Sequence, residues 1–120
     1  MKNKILIIED EIRLAQLLYI ELKHEGYEAE IAADGSAGLE RIREQNFFAV
    51  LLDFMLPGMN GVDICRKTRT FSDVPIIALT ARDDMCSALI QAGADQCFLK
   101  PCNIQQIFDF LEELPDKIGL

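Results

Sequence analysis

At 120 residues, 50% hydrophobic and 27% charged, the chain has the balance of one globular domain that can bury a core without disulfide or metal staples. A formal net charge of -8 makes the whole-molecule field repel nucleic acid and anionic membrane surfaces, so action on DNA would need another segment. No stretch is long and apolar enough to cross a bilayer, and the run Ile5-Leu6-Ile7-Ile8 halts at Glu9-Asp10-Glu11, too short for a secretion signal.

In chain order, residues 4–8 read as a strand, and residues 12–25 as a helix with Leu14, Ala15, Leu18 and Leu22 on one face, stopping at Gly26. Residues 28–32 are a second strand. The turn Asp34-Gly35 leads into a helix over 36–44, with Leu39 and Ile42 inward. The third strand is 48–52, followed by a helix over 61–70 carrying Val62, Ile64 and Cys65. The fourth strand is 76–79, with a helix over 85–92 that ends at Gly93. Residues 97–99 form the last strand. The final helix, 104–114, spaces Ile104, Ile107, Phe108 and Leu111 along one stripe before Pro115.

The first, third and fourth strands are nearly continuous in Ile, Leu and Val rather than alternating, as strands covered by helices on both faces must be. Strand then helix, five times, implies right-handed crossovers. The expected fold is therefore α/β, a flavodoxin-like (βα)5 doubly wound parallel five-stranded sheet of order 2-1-3-4-5. Residues 1–120 make up one domain in this reading. Cys65, Cys86, Cys97 and Cys102 show no CxxC pair and read as reduced, partly buried thiols. His24, near the polar end of the first helix, reads as solvated.

The polar residues that interrupt the pattern fall together. Glu9 and Asp10 follow the first strand, Asp53 and Thr80 end the third and fourth, and Lys100 follows the fifth. In a parallel sheet these carboxyl ends share one edge, and the first and third strands meet where the winding reverses, the place such sheets bind ligands. Carboxylates crowded there repel, and a hard divalent cation such as Mg²⁺ relieves that repulsion. With the Lys100 ammonium and the Thr80 hydroxyl, the set could neutralise a phosphoryl group in flight, Asp53 being the nucleophile. Each residue also has an ordinary reading: Asp and Glu as loop caps, Thr80 as a turn residue, Lys-Pro as a loop step. A salt-bridged acidic patch around Lys100 is the alternative for the whole cluster.

The blocks Ile-Ile-Glu9-Asp10-Glu11, Leu51-Leu52-Asp53-Phe54-Met55-Leu56-Pro57-Gly58-Met59-Asn60-Gly61, Leu79-Thr80-Ala81-Arg82, Ala92-Gly93-Ala94-Asp95 and Leu99-Lys100-Pro101 occur in the order found in one family. The chain resembles the receiver domain of bacterial two-component response regulators over essentially its whole length. The resemblance implies a cytoplasmic phosphoprotein in a phosphorelay, with an aspartyl phosphate formed on Asp53 from a sensor histidine kinase. It implies Mg²⁺ held by Asp10, Asp53 and the main-chain carbonyl of Met55, with Glu9 acting through water. Thr80 and Lys100 would contact phosphoryl oxygens, and Phe98 would be an aromatic switch coupled to Thr80. The Lys100-Pro101 peptide would be cis. The face formed by the fourth helix, fifth strand and fifth helix would then control an output domain or partner protein, with a phosphorylation-dependent homodimer as one outcome. No enzymatic activity is implied beyond the domain's own phosphotransfer and dephosphorylation.

Three departures bear on these expectations. Cys102 stands where the family usually has Phe, which predicts looser packing. The Thr80-to-Lys100 segment is about half a helical turn shorter than the family's, which predicts a reduced fourth helix. Phe110 and Glu112 occupy fifth-helix places where the winged-helix DNA-binding class carries arginines, against dimerisation in that manner. Three competing functions are a stand-alone single-domain regulator, an aspartyl-nucleophile phosphatase and a flavin binder or silent scaffold. The phosphatase would need an aspartate at Met55, and Glu9-Asp10-Glu11 would repel the phosphate of a flavin nucleotide. The expectation leans to a receiver that is part of a longer regulator.

Overall fold

The computed structural model describes residues 3–53 and 58–115. Within them β1 (Lys4–Ile8), β2 (Glu28–Ala32), β3 (Ala49–Asp53), β4 (Ile76–Thr80) and β5 (Gln96–Leu99) form one parallel sheet of order β2-β1-β3-β4-β5. Helices α1 (Ile12–His24), α2 (Gly35–Glu44), α3 (Gly61–Arg69), α4 (Cys86–Ala92) and α5 (Ile104–Glu113) follow the strands in turn. The expected architecture is the observed one.

Period-two alternation divides each apolar run between two cores. Leu6, Ile8, Val50, Leu52, Ile76 and Ala78 point to the layer made by α2, α3 and α4, where Ile42, Ile64, Cys65 and Leu89 meet them. Ile5, Ile7, Leu51, Ile77 and Leu79 point the other way, onto Ala15, Leu18 and Leu22 of α1 and Ile107, Phe108 and Leu111 of α5. Burying one such side chain contributes about 1.5–3 kcal/mol, so the three central strands are the main source of cohesion. The helix faces match their predicted stripes, with Leu14, Leu39, Val62 and Ile104 at the half-buried margins.

The element ends differ slightly from the predicted ones, for identifiable reasons. β3 runs through Asp53 because that residue still pairs in register with Leu79, and β4 runs through Thr80 because it pairs with Leu99. α2 starts at Gly35, since the Asp34 carboxylate caps it by accepting from the Ala37 amide at 2.8 Å. At the end of α1, Gly26 adopts φ +101° and lets the Tyr27 amide donate back to the Leu22 carbonyl at 3.0 Å. α4 is the shortest of the helices at 7 residues, because Asp83–Met85 form a 3₁₀ turn before it. That bears out the reduced fourth helix.

One cysteine expectation is corrected. Cys86 and Cys97 are joined by a disulfide, while Cys65 and Cys102 are free. The topology makes this pair. The α4–β5 return stacks the first residue of α4 beside the second residue of β5, and no local spacing motif announces it. Cys65 is buried and its thiol is pushed up to about 11 by desolvation, an inert core thiol. His24 is exposed, as expected.

Candidate functional site

β1 and β3 are neighbours, with β2 beyond β1, so the winding reverses between them at the edge where the strands end. Glu9, Asp10 and Asp53 meet there, offering carboxylate oxygens that all lie within 4.8 Å of one another. Two unit charges at about that distance repel by about 1 kcal/mol even in bulk water. Here the cost is higher, because Glu9 is 3% and Asp53 6% exposed. Asp10 is exposed.

Lys100 offsets part of that repulsion. Its Nζ donates to Asp53 Oδ1 at 2.8 Å and lies 3.6 Å from Glu9 Oε1, near enough for attraction but beyond a hydrogen bond. Burial alone would lower the ammonium. The hydrogen bond to Asp53 and the charges of Asp53 and Glu9 outweigh it and hold Lys100 above its ordinary value. Glu9 Oε2 accepts from the Glu11 amide at 3.1 Å, whereas Oε1 is buried with no hydrogen-bond partner among the described residues. Desolvation raises the Glu9 carboxyl above its ordinary 4.5, and the Asp53 and Asp10 charges add to the rise against the lowering by the Glu11 amide and Lys100.

An unpartnered buried carboxylate oxygen within a cluster of three acids fits a hard divalent cation of the Mg²⁺ kind, which takes oxygen ligands and keeps open positions. One ammonium leaves the pocket short of positive charge.

Residues 5–112 match the family model of the response regulator receiver domain. The chain belongs to that family. Among curated relatives, the DNA-binding response regulator MtrA of Mycolicibacterium smegmatis is 44% identical over 103 residues, covering 84% of this chain and 45% of its own length. The response regulator ArlR of Staphylococcus saprophyticus is 42% identical over 107 residues, covering 88% and 49% respectively. This receiver domain thus spans about half the length of those relatives. The response regulator TrrA of Thermotoga maritima, solved in complex with Mg²⁺ and beryllofluoride, superposes with TM-score 0.86 at 33% identity, covering 96% of this chain and all of that one (100%). The receiver domain of a Pseudomonas aeruginosa sensor histidine kinase, solved with magnesium in its active-site cleft, superposes with TM-score 0.87 at 28% identity, covering 95% and 98%.

The structure places the other residues singled out in this receiver domain as follows. Thr80 is 1% exposed and ends the neighbouring strand, but its Oγ1 accepts from the Arg82 amide at 3.1 Å rather than meeting Asp53. Phe98 is half-buried, opposite Leu79 in register and packed on the α1–α5 side of the sheet. The Lys100-Pro101 peptide is cis. Met55 lies outside the described residues. An apolar groove of about 650 Å³ runs between α1 and α5, lined in part by Leu14, Leu18, Pro101, Cys102 and Ile107.

Two participants went unread in the sequence. The Glu11 amide steadies Glu9, and no side-chain signal could disclose a main-chain donor. Arg82 is the second: its amide holds the Thr80 hydroxyl and its guanidinium pairs with Asp84 at 2.8 Å.

Proposed function

We propose that this receiver domain accepts a phosphoryl group on Asp53 from the phosphohistidine of a sensor histidine kinase and thereby switches its α4–β5–α5 face. In the transfer, an Asp53 carboxylate oxygen attacks phosphorus, the phosphorus–nitrogen bond of the phosphohistidine breaks, and the imidazole leaves. Lys100 holds Asp53 in place beforehand and pairs with a phosphoryl oxygen afterwards. A Mg²⁺ ion held by Asp10, Asp53 and the Met55 carbonyl, with Glu9 acting through water, would supply the charge that carboxylates and phosphoryl oxygens need to approach one another. The observation that carries this reading is the cluster of buried Glu9 and Asp53 with exposed Asp10, met among the described residues by one ammonium on Asp53.

The response follows from the same geometry. A new dianion at Asp53 draws the Thr80 hydroxyl, which donates to it while its oxygen accepts from the Arg82 amide, and movement of Thr80 opens space toward Phe98. Phosphorylation shifts a balance between two packings of that face. We place the domain in the cytoplasm. It turns over only its own phosphoryl group, and its output is transcriptional, as in the DNA-binding relatives, through a segment other than these 120 residues. The test is addition of Mg²⁺ with beryllofluoride, a mimic of the phosphoryl group, followed by amide and aromatic NMR. The Phe98 and Thr80 resonances should move, and Asp53→Asn should abolish the movement. Unmoved spectra in wild type at saturating Mg²⁺ would overturn the proposal.

A further inference from the structure

Cys86 begins α4 and Cys97 is the second residue of β5, with Cα atoms 5.6 Å apart and the sulfurs bonded across 11 residues of sequence. Neither the acidic pocket nor the core calls for this bond. Both residues are half-buried and line a shallow surface depression together with Ser87, Ile90, Gln91 and Gln96. Disulfides in reducing compartments are mostly transient or redox-sensing.

The position of the bond is what gives it consequence. α4 has 7 residues, about two turns, and buries only Leu89 and Ala92, so it is weakly anchored by packing. Its far end is held by Arg69, whose Nε donates to the Gly93 carbonyl at 3.0 Å. Its near end follows the 81–85 segment that Thr80 would draw toward a phosphorylated Asp53. There the disulfide joins α4 to the residue preceding Phe98. The bond coexists with the resting arrangement, in which Lys100 sits on Asp53 and Thr80 on the Arg82 amide. With it α4 is pinned at both ends; without it the end nearest the phosphoacceptor is free to move.

We infer that Cys86 and Cys97 form a thiol–disulfide exchange site whose oxidation restrains the phosphorylation switch. The inference deepens the phosphoacceptor reading and rests on it. The oxidant class is a low-molecular-weight disulfide. One cysteine thiolate attacks it, forming a mixed disulfide and releasing one thiol. The second cysteine then displaces the other thiol and closes the bond. Two electrons and two protons pass from the cysteine pair to the oxidant, which becomes two thiols. An excess of small thiol runs the sequence backwards.

The test equilibrates the whole chain in glutathione mixtures and counts thiols by alkylation under denaturing conditions and mass spectrometry. Oxidised protein should label at Cys65 and Cys102 only, and reduced protein at all four cysteines. Beryllofluoride is then titrated at saturating Mg²⁺ while the Phe98 amide is followed. The reduced form should reach half-response at a concentration lower by about fivefold or more, the low end of ordinary coupling between sites. Cys86→Ser and Cys97→Ser should match the reduced form in every mixture. By reciprocity, Mg²⁺–beryllofluoride should shift the thiol equilibrium toward the dithiol by the same factor. Equal half-response in both redox forms, or a bond that never forms between these two cysteines, would overturn the restraint alone. A response absent from both forms would overturn the phosphoacceptor reading and the restraint with it.

Discussion

A carboxylate that is 3% exposed, with one oxygen lacking a hydrogen-bond partner among the described residues, is costly to keep ionised, and Glu9 is in that position. Desolvation first, then the neighbouring acids, raise its folded-state carboxyl above 4.5, so it binds a proton more tightly folded than unfolded. In the metal-free domain its contribution to stability is therefore complete below pH about 4.5 and is lost as pH rises through the raised value. A cation needs the ionised form. The increase in Tm given by saturating Mg²⁺ should therefore grow from mildly acidic to neutral pH, and Glu9→Gln should flatten that growth. Thermal melts with and without Mg²⁺ across that range measure it; an increment independent of pH in wild type would contradict the assignment. Glu9, Asp10 and Asp53 were legible as a cluster because strand ends in a parallel sheet must share an edge. The hydrogen bond of Thr80 to the Arg82 amide was not, because a hydroxyl chooses between main-chain and side-chain partners only once the loop is folded.

Between elements, one junction shows how short connections are secured. The Asp95 carboxylate accepts from the Ile76 amide at 2.8 Å, capping the start of β4, and from Arg69 of α3 at 3.0 Å. Arg69 in turn reaches the Gly93 and Ser72 carbonyls. Asp95→Ala leaves the Ile76 amide and the Arg69 guanidinium short of an acceptor, which should destabilise the fold by about 1–3 kcal/mol. Urea unfolding reads this as a lower midpoint at constant slope, and an unchanged midpoint would show the junction to be ornamental. The strands themselves were legible because Ile5-Leu6-Ile7-Ile8 and Val50-Leu51-Leu52 can be dry on both faces only inside a sheet. The Cys86–Cys97 bond was not, because it joins residues that the α4–β5 return brings side by side without a motif.

Across the whole molecule, order β2-β1-β3-β4-β5 puts the acidic pocket at the winding reversal and leaves β5, with Phe98, at the edge beside α4 and α5. A single strand, β4, which ends in Thr80, separates Asp53 on β3 from that outer strand. The net charge of -8 sets a demand on that pocket, since each further anion must be met by a cation or an ammonium. The most direct measurement is intact and peptide mass spectrometry after incubation with a small-molecule phosphodonor, with and without Mg²⁺. One phosphoryl group should appear on Asp53, only when Mg²⁺ is present, and none on Asp53→Asn. Label on another side chain, or none at saturating Mg²⁺, would contradict the account.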